Sequence, residues 1–163
     1  MEASQTEKAV IYTVCSPMSA RVRELKDVPD PAFAGGVLGE GVAIEPEDDD
    51  IYAPTSGLVR SVFETRHAIV FENEANLSIL MHVGIGSMRL KGEGFSAHVS
   101  SGQQVHKGDK LLSVDWNAIS DKLESKMSPI VVEDYRGAYS VHVLAHGEVS
   151  VGDPLFEILD NRQ

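Results

Sequence analysis

Two histidines, His67 and His82, are the side chains in this sequence best suited to chemistry. An imidazole with its ordinary pKa near 6.5 is largely uncharged at neutral pH, so it can act as a nucleophile, a proton carrier or a metal ligand. Both histidines lie in residues 63–88, FETRHAIVFENEANLSILMHVGIGSM. Apolar and polar residues alternate there as in two strands, with residues 73–76 as the turn between them. The pattern predicts a β-hairpin that carries one histidine on each strand.

The register of this hairpin decides whether the two rings meet. Folding at the predicted turn pairs Ile69 with Leu80 and, in the same register, His67 with His82. Residues directly opposite each other on antiparallel strands have Cβ atoms about 4.5–5.5 Å apart. A slip of one residue would send the two rings to opposite faces of the sheet. We expect the paired rings to lie together at an open, shallow surface.

Three neighbours could orient the rings. Thr65 lies two residues before His67, so in a strand it projects to the same face and can bond that ring. Gly84 and Gly86 follow His82 and leave the backbone uncluttered beside it. A carbonyl there could bind one ring nitrogen of His82 and leave the other free as a nucleophile.

Four functions for the pair stay open on the residues alone. The first is a purely structural pair, and the second is a zinc site. Two nitrogens are only half of a tetrahedral zinc site, so a carboxylate, for instance from a partner protein, would have to complete it. The third is a phosphoryl relay, in which one imidazole attacks phosphorus and the other donates to the phosphoryl oxygens. The fourth is a carrier of a lysine-bound prosthetic group, but Lys126-Met127 follows a helix candidate and not a hairpin tip.

Composition limits the classes of protein further. The chain has 163 residues, 42% of them hydrophobic, which suits one domain with a real core. Its net charge of −11 disfavours a nucleic-acid partner, and residues 45–50, EPEDDD, form a predicted acidic loop. No apolar run approaches the roughly 20 residues that span a bilayer, and the single Cys15 excludes an internal disulfide. We expect a cytoplasmic monomer with a flexible tail over residues 1–8 and a single domain over residues 9–163.

Most of the chain consists of short predicted strands separated by glycine. The one helix candidate covers residues 117–126, where Ile119 and Leu123 share a face. Two pairs of segments echo each other: residues 16–25 resemble residues 53–62, and residues 102–112 resemble residues 147–156. Such a duplication of a small β unit favours an all-β barrel or sandwich.

Several motifs, in order and at matching spacing, resemble those of one family. They are KGEGF at residues 91–95, DVPDPAF at 27–33, GEGVAI at 39–44, APTSG at 53–57, FETRHA at 63–68 and MHVGI at 81–85. Together they are similar to the glucose-type IIA component of the bacterial phosphoenolpyruvate-dependent sugar phosphotransferase system (the glucose/sucrose/N-acetylglucosamine/β-glucoside superfamily). The similarity runs from about Ser16 to Leu159.

The resemblance implies a fold, an activity and a site. The fold would be an antiparallel barrel-sandwich built on a duplicated hybrid motif, with one or two short helices. The protein would be a phosphotransferase component that works without a cofactor or resident metal. His82 would accept the phosphoryl group, His67 would be the second active-site histidine, and Thr65 would bond His67.

The resemblance also implies partners. The phosphocarrier HPr would be the donor, and a cysteine of a IIB domain on a sugar permease would be the acceptor, with peripheral contact to the membrane permease. Six residues match positions expected to face these partners: Asp30, Phe33, Val37, Leu38, Gly84 and Gly86. The other four histidines, His98, His106, His142 and His146, match nothing catalytic.

One departure from the family pattern stands beside the phosphorylation site. The family usually has Asp and then Thr after His-x-Gly-Ile, whereas Gly86 and Ser87 stand here. Loss of a rim carboxylate slows association more than it alters chemistry, and Asp30 on the neighbouring loop could partly substitute for it. The departure keeps an alternative function open: a regulatory binding module whose unphosphorylated face inhibits transporters or a kinase, with a weakened relay.

Overall fold

A computed structural model describes residues 8–133 and 137–162. Most of the expected tail, residues 1–7, therefore lies outside the described residues, whereas Lys8 bonds Asn161. The strands are β1 Val10–Cys15, β2 Ala20–Arg23, β3 Glu40–Pro46, β4 Asp50–Tyr52, β5 Gly57–Val62, β6 Ala68–Asn73, β7 Ser78–His82, β8 Phe95–Ala97, β9 Gln104–Val105, β10 Lys110–Val114, β11 Ser128–Glu133, β12 Tyr139–Val143, β13 Gly147–Val149 and β14 Pro154–Asp160. The helices are α1 Pro31–Ala34 and α2 Trp116–Ile119, with 3₁₀ turns at Leu25–Asp27, Ser87–Leu90 and Ser120–Lys122.

The strands form three antiparallel sheets. The largest has eight strands in the order β13-β2-β3-β11-β7-β6-β5-β9, and two smaller sheets have the orders β1-β14-β12 and β4-β10-β8. Among the described residues the large sheet ends at β13 and β9 and does not close on itself. The all-β prediction is therefore confirmed as a sandwich-like packing of sheets, and not as a closed barrel.

The echoed segments occupy equivalent places in this architecture. In the first echoed pair, residues 16–25 contain β2 and residues 53–62 contain β5. β2 pairs with β13 of residues 147–156, and β5 pairs with β9 of residues 102–112. The large sheet is therefore two similar four-stranded halves that meet where β11 pairs with β7. His82 ends β7, so the candidate site lies at the junction of the halves.

The large sheet is apolar on both faces. One face packs against the two small sheets in the main core, which includes Ile79 and Met81 of β7. The alternate residues of the same strands form a second cluster that holds Phe33 of α1. Leu80 and His82 belong to this second face because side chains alternate along a strand.

The helix prediction for residues 117–126 was wrong in its extent. Asp115 caps α2 by accepting from the backbone N–H of Ala118 at 3.2 Å, and the helical turns end at Lys122. Residues 124 and 125 instead form backbone hydrogen bonds with Ile85, as in a β-bridge. Glu124 donates its N–H to the Ile85 carbonyl at 3.0 Å, and Ile85 donates to the Ser125 carbonyl at 2.9 Å. Tertiary hydrogen bonds thus override the local helical pattern.

Candidate functional site

The hairpin that carries the two histidines is present, but in a different register from the one predicted. In the structure Ala68 pairs with His82 and Val70 pairs with Leu80. The loop between the paired residues Asn73 and Leu77 therefore has three residues and not two. The predicted opposition of His67 and His82 is wrong by one residue.

The two rings nevertheless meet, with centroids 4.8 Å apart and an edge-to-face angle of 76°. His67 precedes β6, so strict alternation of side chains does not apply to it. Arg66, just before it, takes a left-handed backbone conformation with φ 61°. His67 stays fixed to the neighbouring strand because its carbonyl accepts from the N–H of Val83 at 2.7 Å. An irregular turn thus achieves the ring contact that the predicted register was expected to provide.

His82 has one ring nitrogen engaged. Its Nδ1 lies 2.8 Å from the Gly84 carbonyl oxygen. A carbonyl only accepts, so Nδ1 carries the proton in the neutral ring and Nε2 keeps its lone pair. Phe33 packs against the ring with centroids 5.2 Å apart. The side chain is half-buried, and its Nε2 is chemically available for attack on an electrophile.

His67 is more enclosed than the sequence analysis expected. Only 2% of the residue is exposed, and Phe63 packs edge-on against its ring with centroids 5.5 Å apart. The Thr65 hydroxyl bonds its Nδ1, as predicted, which leaves Nε2 as its second polar atom. The open, shallow pair of rings that we expected is therefore a half-buried His82 beside an almost fully buried His67.

Both histidines are shifted toward the neutral form. Burial, reinforced by the neighbouring His82, lowers the pKa of His67 to about 4. Burial also lowers the pKa of His82 below 6.5, against the opposing effects of its bond to the Gly84 carbonyl and of the Asp30 carboxylate. At neutral pH both imidazoles are uncharged, and a neutral ring is the form that can attack phosphorus.

The residues matched to a docking surface differ in exposure. Val37 is 79% exposed and Leu38 is half-buried, while Phe33 is buried beneath His82. Asp30 accepts from the N–H of Ala32 at 2.9 Å and so caps α1, while its charge also acts on His82. Asp30 therefore both caps α1 and acts electrostatically on His82.

Two exposed apolar residues, Phe63 and Met88, lie within six positions of a histidine in the sequence and were not among the predicted partner contacts. Phe63 is exposed and touches His67, and Met88 is exposed in the turn that follows Gly86. The available signal was Phe63 at the head of the FETRHA motif, immediately before the irregular turn.

Gly86 has a left-handed backbone, with φ 82°. A Cβ built on it would lie 2.8 Å from Nη2 of Arg89, whose guanidinium also lies 3.8 Å from the Glu124 carboxylate. Gly86, where the matched family usually has a carboxylate, therefore lies beside the ion pair of Arg89 and Glu124.

The described residues offer no third ligand for the zinc hypothesis. Within residues 8–133 and 137–162, no three His, Cys, Asp or Glu side chains come together as a metal site. The same residues contain no helix long and apolar enough to cross a membrane.

Comparisons with known proteins agree with the geometry. A family model for the phosphoenolpyruvate-dependent sugar phosphotransferase system, EIIA 1, matches residues 12–138. This chain belongs to that EIIA family. A glucose-specific EIIA component of Oceanobacillus iheyensis is 40% identical over 141 residues, which cover 86% of each chain. One from Bacillus cereus is 41% identical over 129 residues, covering 79% of this chain and 78% of the relative.

A solved structure supports the EIIA fold. Glucose permease IIA from Mycoplasma capricolum superposes with a TM-score of 0.85 at 34% identity, covering 91% of this chain and 96% of the other. The expected family and sandwich-like fold are confirmed. As an EIIA protein, this chain takes part in a phosphoryl-transfer relay for sugar uptake.

Proposed function

We propose that this EIIA protein accepts a phosphoryl group from HPr on Nε2 of His82 and passes it to the cysteine of a IIB domain on a sugar permease. The observation that carries the proposal is the bond from His82 Nδ1 to the Gly84 carbonyl, which leaves Nε2 as the basic atom. Nε2 attacks phosphorus in line, and the bond between phosphorus and the donor nitrogen breaks with its electron pair returning to the donor ring. A phosphohistidine on His82 results.

His67 supports the transferring group in this proposal. With the Thr65 hydroxyl donating to its Nδ1, the neutral ring carries its proton on Nε2 and can donate it to a phosphoryl oxygen of the group on His82. Its near-complete burial and the 4.8 Å ring contact suit a fixed donor better than an attacking nucleophile. A pKa near 4 keeps His67 neutral in the unphosphorylated protein at neutral pH.

Exposed apolar side chains would dock the two partners in turn. Val37 and Met88 are exposed on the segments that follow Phe33 and Gly86, and Phe33 packs against the His82 ring. The net charge of −11 suits a basic donor surface and short-lived complexes. HPr and the IIB domain would compete for this surface, because the phosphoryl group is reached only through it.

Intact mass after incubation with phosphoenolpyruvate, enzyme I and HPr tests the proposal. We expect an acid-labile gain of one phosphoryl group in the wild type and none in His82→Ala. His67→Gln should accept the group but pass it to a IIB domain roughly 100-fold more slowly, because an amide can still donate a hydrogen bond but cannot act as an acid or base as an imidazole can. His142→Ala, at an exposed histidine on β12, serves as the matched control and should behave as wild type.

Two results would contradict the proposal. Equal loss of acceptance in His67→Gln and His82→Ala would contradict the separate roles proposed for the two rings, with His82 as the acceptor and His67 as the supporting group. An unlabelled wild type that still binds a transporter or a kinase would instead favour the regulatory module.

A further inference from the structure

Two buried serines hold Gly84, the residue whose carbonyl accepts from His82. Ser128, the first residue of β11, accepts the backbone N–H of Gly84 on its Oγ at 3.0 Å. Ser87 directs its Oγ at the Gly84 carbonyl oxygen at 3.2 Å. Ser87 is 0% exposed and Ser128 is 1% exposed, so water does not compete for either hydroxyl.

The directions of these bonds follow from their partners. Ser128 Oγ also lies 3.0 Å from the Lys126 carbonyl oxygen, which only accepts, so the hydroxyl proton points there. The Ser128 oxygen is left to accept from Gly84. Ser87 must likewise donate, because its partner is a carbonyl. Gly84 is thus held at its N–H by one serine and at its C=O by the other.

We propose that Ser87 and Ser128 are positioning residues that fix the Gly84 carbonyl against Nδ1 of His82 and thereby keep His82 in the tautomer with a free Nε2. The inference deepens the proposed relay and rests on it for its functional meaning. If the carbonyl were free to turn away, the neutral ring would lose the partner that places its proton on Nδ1. The tautomer protonated on Nε2, which cannot attack, would then become populated.

The same carbonyl serves the phosphorylated state. When Nε2 bonds to phosphorus, the His82 ring gains positive charge and Nδ1–H becomes a stronger donor to Gly84. No proton leaves the ring in this step, and the charge is lost again when a thiolate takes the phosphoryl group. A fixed dipole that faces developing charge lowers the barrier without reorganising at the moment of transfer.

Nitrogen-15 NMR of the His82 ring in the unphosphorylated protein tests the inference directly. The wild type should show a predominantly protonated Nδ1. Ser87→Ala and Ser128→Ala should raise the fraction protonated on Nε2 and slow acceptance from phosphorylated HPr at least about fivefold. Ser87→Thr keeps the hydroxyl and should restore both values.

Ser78→Ala is the matched control. Ser78 lies at the other end of β7 and bonds Glu133 at 2.5 Å, so its loss removes a hydrogen bond without touching Gly84. It should leave the His82 tautomer and the acceptance rate unchanged. Should Ser128→Ala not fold, Ser128→Cys keeps the side-chain size, weakens the acceptor and should shift the tautomer in the same direction.

Slowed acceptance with an unchanged tautomer, or equal effects in Ser78→Ala, would overturn the positioning role. The tautomer is measured without any partner, so it decides the inference even if the wild type accepts no phosphoryl group. A wild type that accepts no phosphoryl group would instead contradict the proposed relay.

Discussion

Two chemically identical side chains acquire different roles here because their surroundings differ. His67 is nearly sealed between Phe63 and the neighbouring ring, while His82 is half-buried and meets a backbone carbonyl and the field of Asp30. Burial favours the neutral form of both rings. For His82 the hydrogen-bond partner, a carbonyl that only accepts, then decides which ring nitrogen is available.

The low pKa of His67 makes a prediction about stability. Its pKa is about 4 in the folded protein and near 6.5 in the unfolded chain, so between these values the unfolded chain binds protons more readily. The contribution of neutral His67 to the free energy of unfolding is therefore fully present above pH 6.5. It is lost, by up to roughly 3 kcal/mol, as the pH drops toward 4. Urea unfolding of wild type and His67→Gln from pH 4 to 8 measures this, and the wild-type curve should be the steeper. Parallel curves would show that His67 titrates normally in the folded state.

The motifs identified the chemically active residues but not their enclosure. His67, His82, Thr65 and Gly84 were all singled out from sequence, and the structure brings them together. The burial of His67 depends on Phe63 and on Arg66 in a left-handed conformation. Ser128 stands 46 positions after His82 in the sequence. Its hydrogen bond to Gly84 therefore depends on strand pairing that no local pattern specifies.

At the scale of the element, the hairpin shows how a turn sets the register. Asn76 takes a left-handed conformation with φ 62°, and the Asn73 side chain accepts the N–H groups of Ala75 and Leu77, both at 2.9 Å. A three-residue loop with a left-handed last residue is a common hairpin type. Sequence identified the turn, but four polar or small residues in a row fitted a two-residue loop equally well. The one-residue error follows from that ambiguity.

Gly57 supports a second element-scale prediction. Its φ is 146°, and a Cβ there would lie 2.5 Å from both Asn73 Cα and the Glu72 carbonyl oxygen on the paired strand β6. Backbone atoms cannot move aside as a flexible side chain can. Gly57→Ala should therefore lower the free energy of unfolding by roughly 2–4 kcal/mol.

Gly108→Ala is the control for this substitution. Gly108 also has a positive φ, 88°, but a Cβ there would meet nothing within 4 Å. We expect a loss of only about 1–2 kcal/mol in the same denaturant titration, since backbone strain is the sole cost. Equal losses at Gly57 and Gly108 would show that the approach of β6 is not what requires glycine.

At the scale of the whole molecule, the excess of negative charge bears on partner association. The net charge is −11, yet Arg89 lies over Gly86 beside the site. Gly86→Asp adds a rim carboxylate at a left-handed position that Asp tolerates, and the flexible end of Arg89 can shift to admit it. Loading by a basic HPr should become faster, and its dependence on salt steeper.

Stopped-flow loading between 50 and 500 mM salt, roughly one decade of ionic strength, measures this effect. Gly152→Asp adds the same charge in the turn between β13 and β14, at a glycine with φ 88° and open space around it. It should change the rate less than Gly86→Asp does. An equal gain from both variants would assign the effect to net charge and not to the rim.

The meeting of the two similar halves has a consequence for newly made protein. The β6–β7 hairpin is local and can form early, but Gly84 is held by Ser128 from a strand that leaves the ribosome much later. A nascent chain ending before β11 carries both imidazoles without the neighbour that orders them. We therefore expect phosphoryl loading to be slow on nascent chains that end before β11 and to reach its full rate only after that strand has paired with β7.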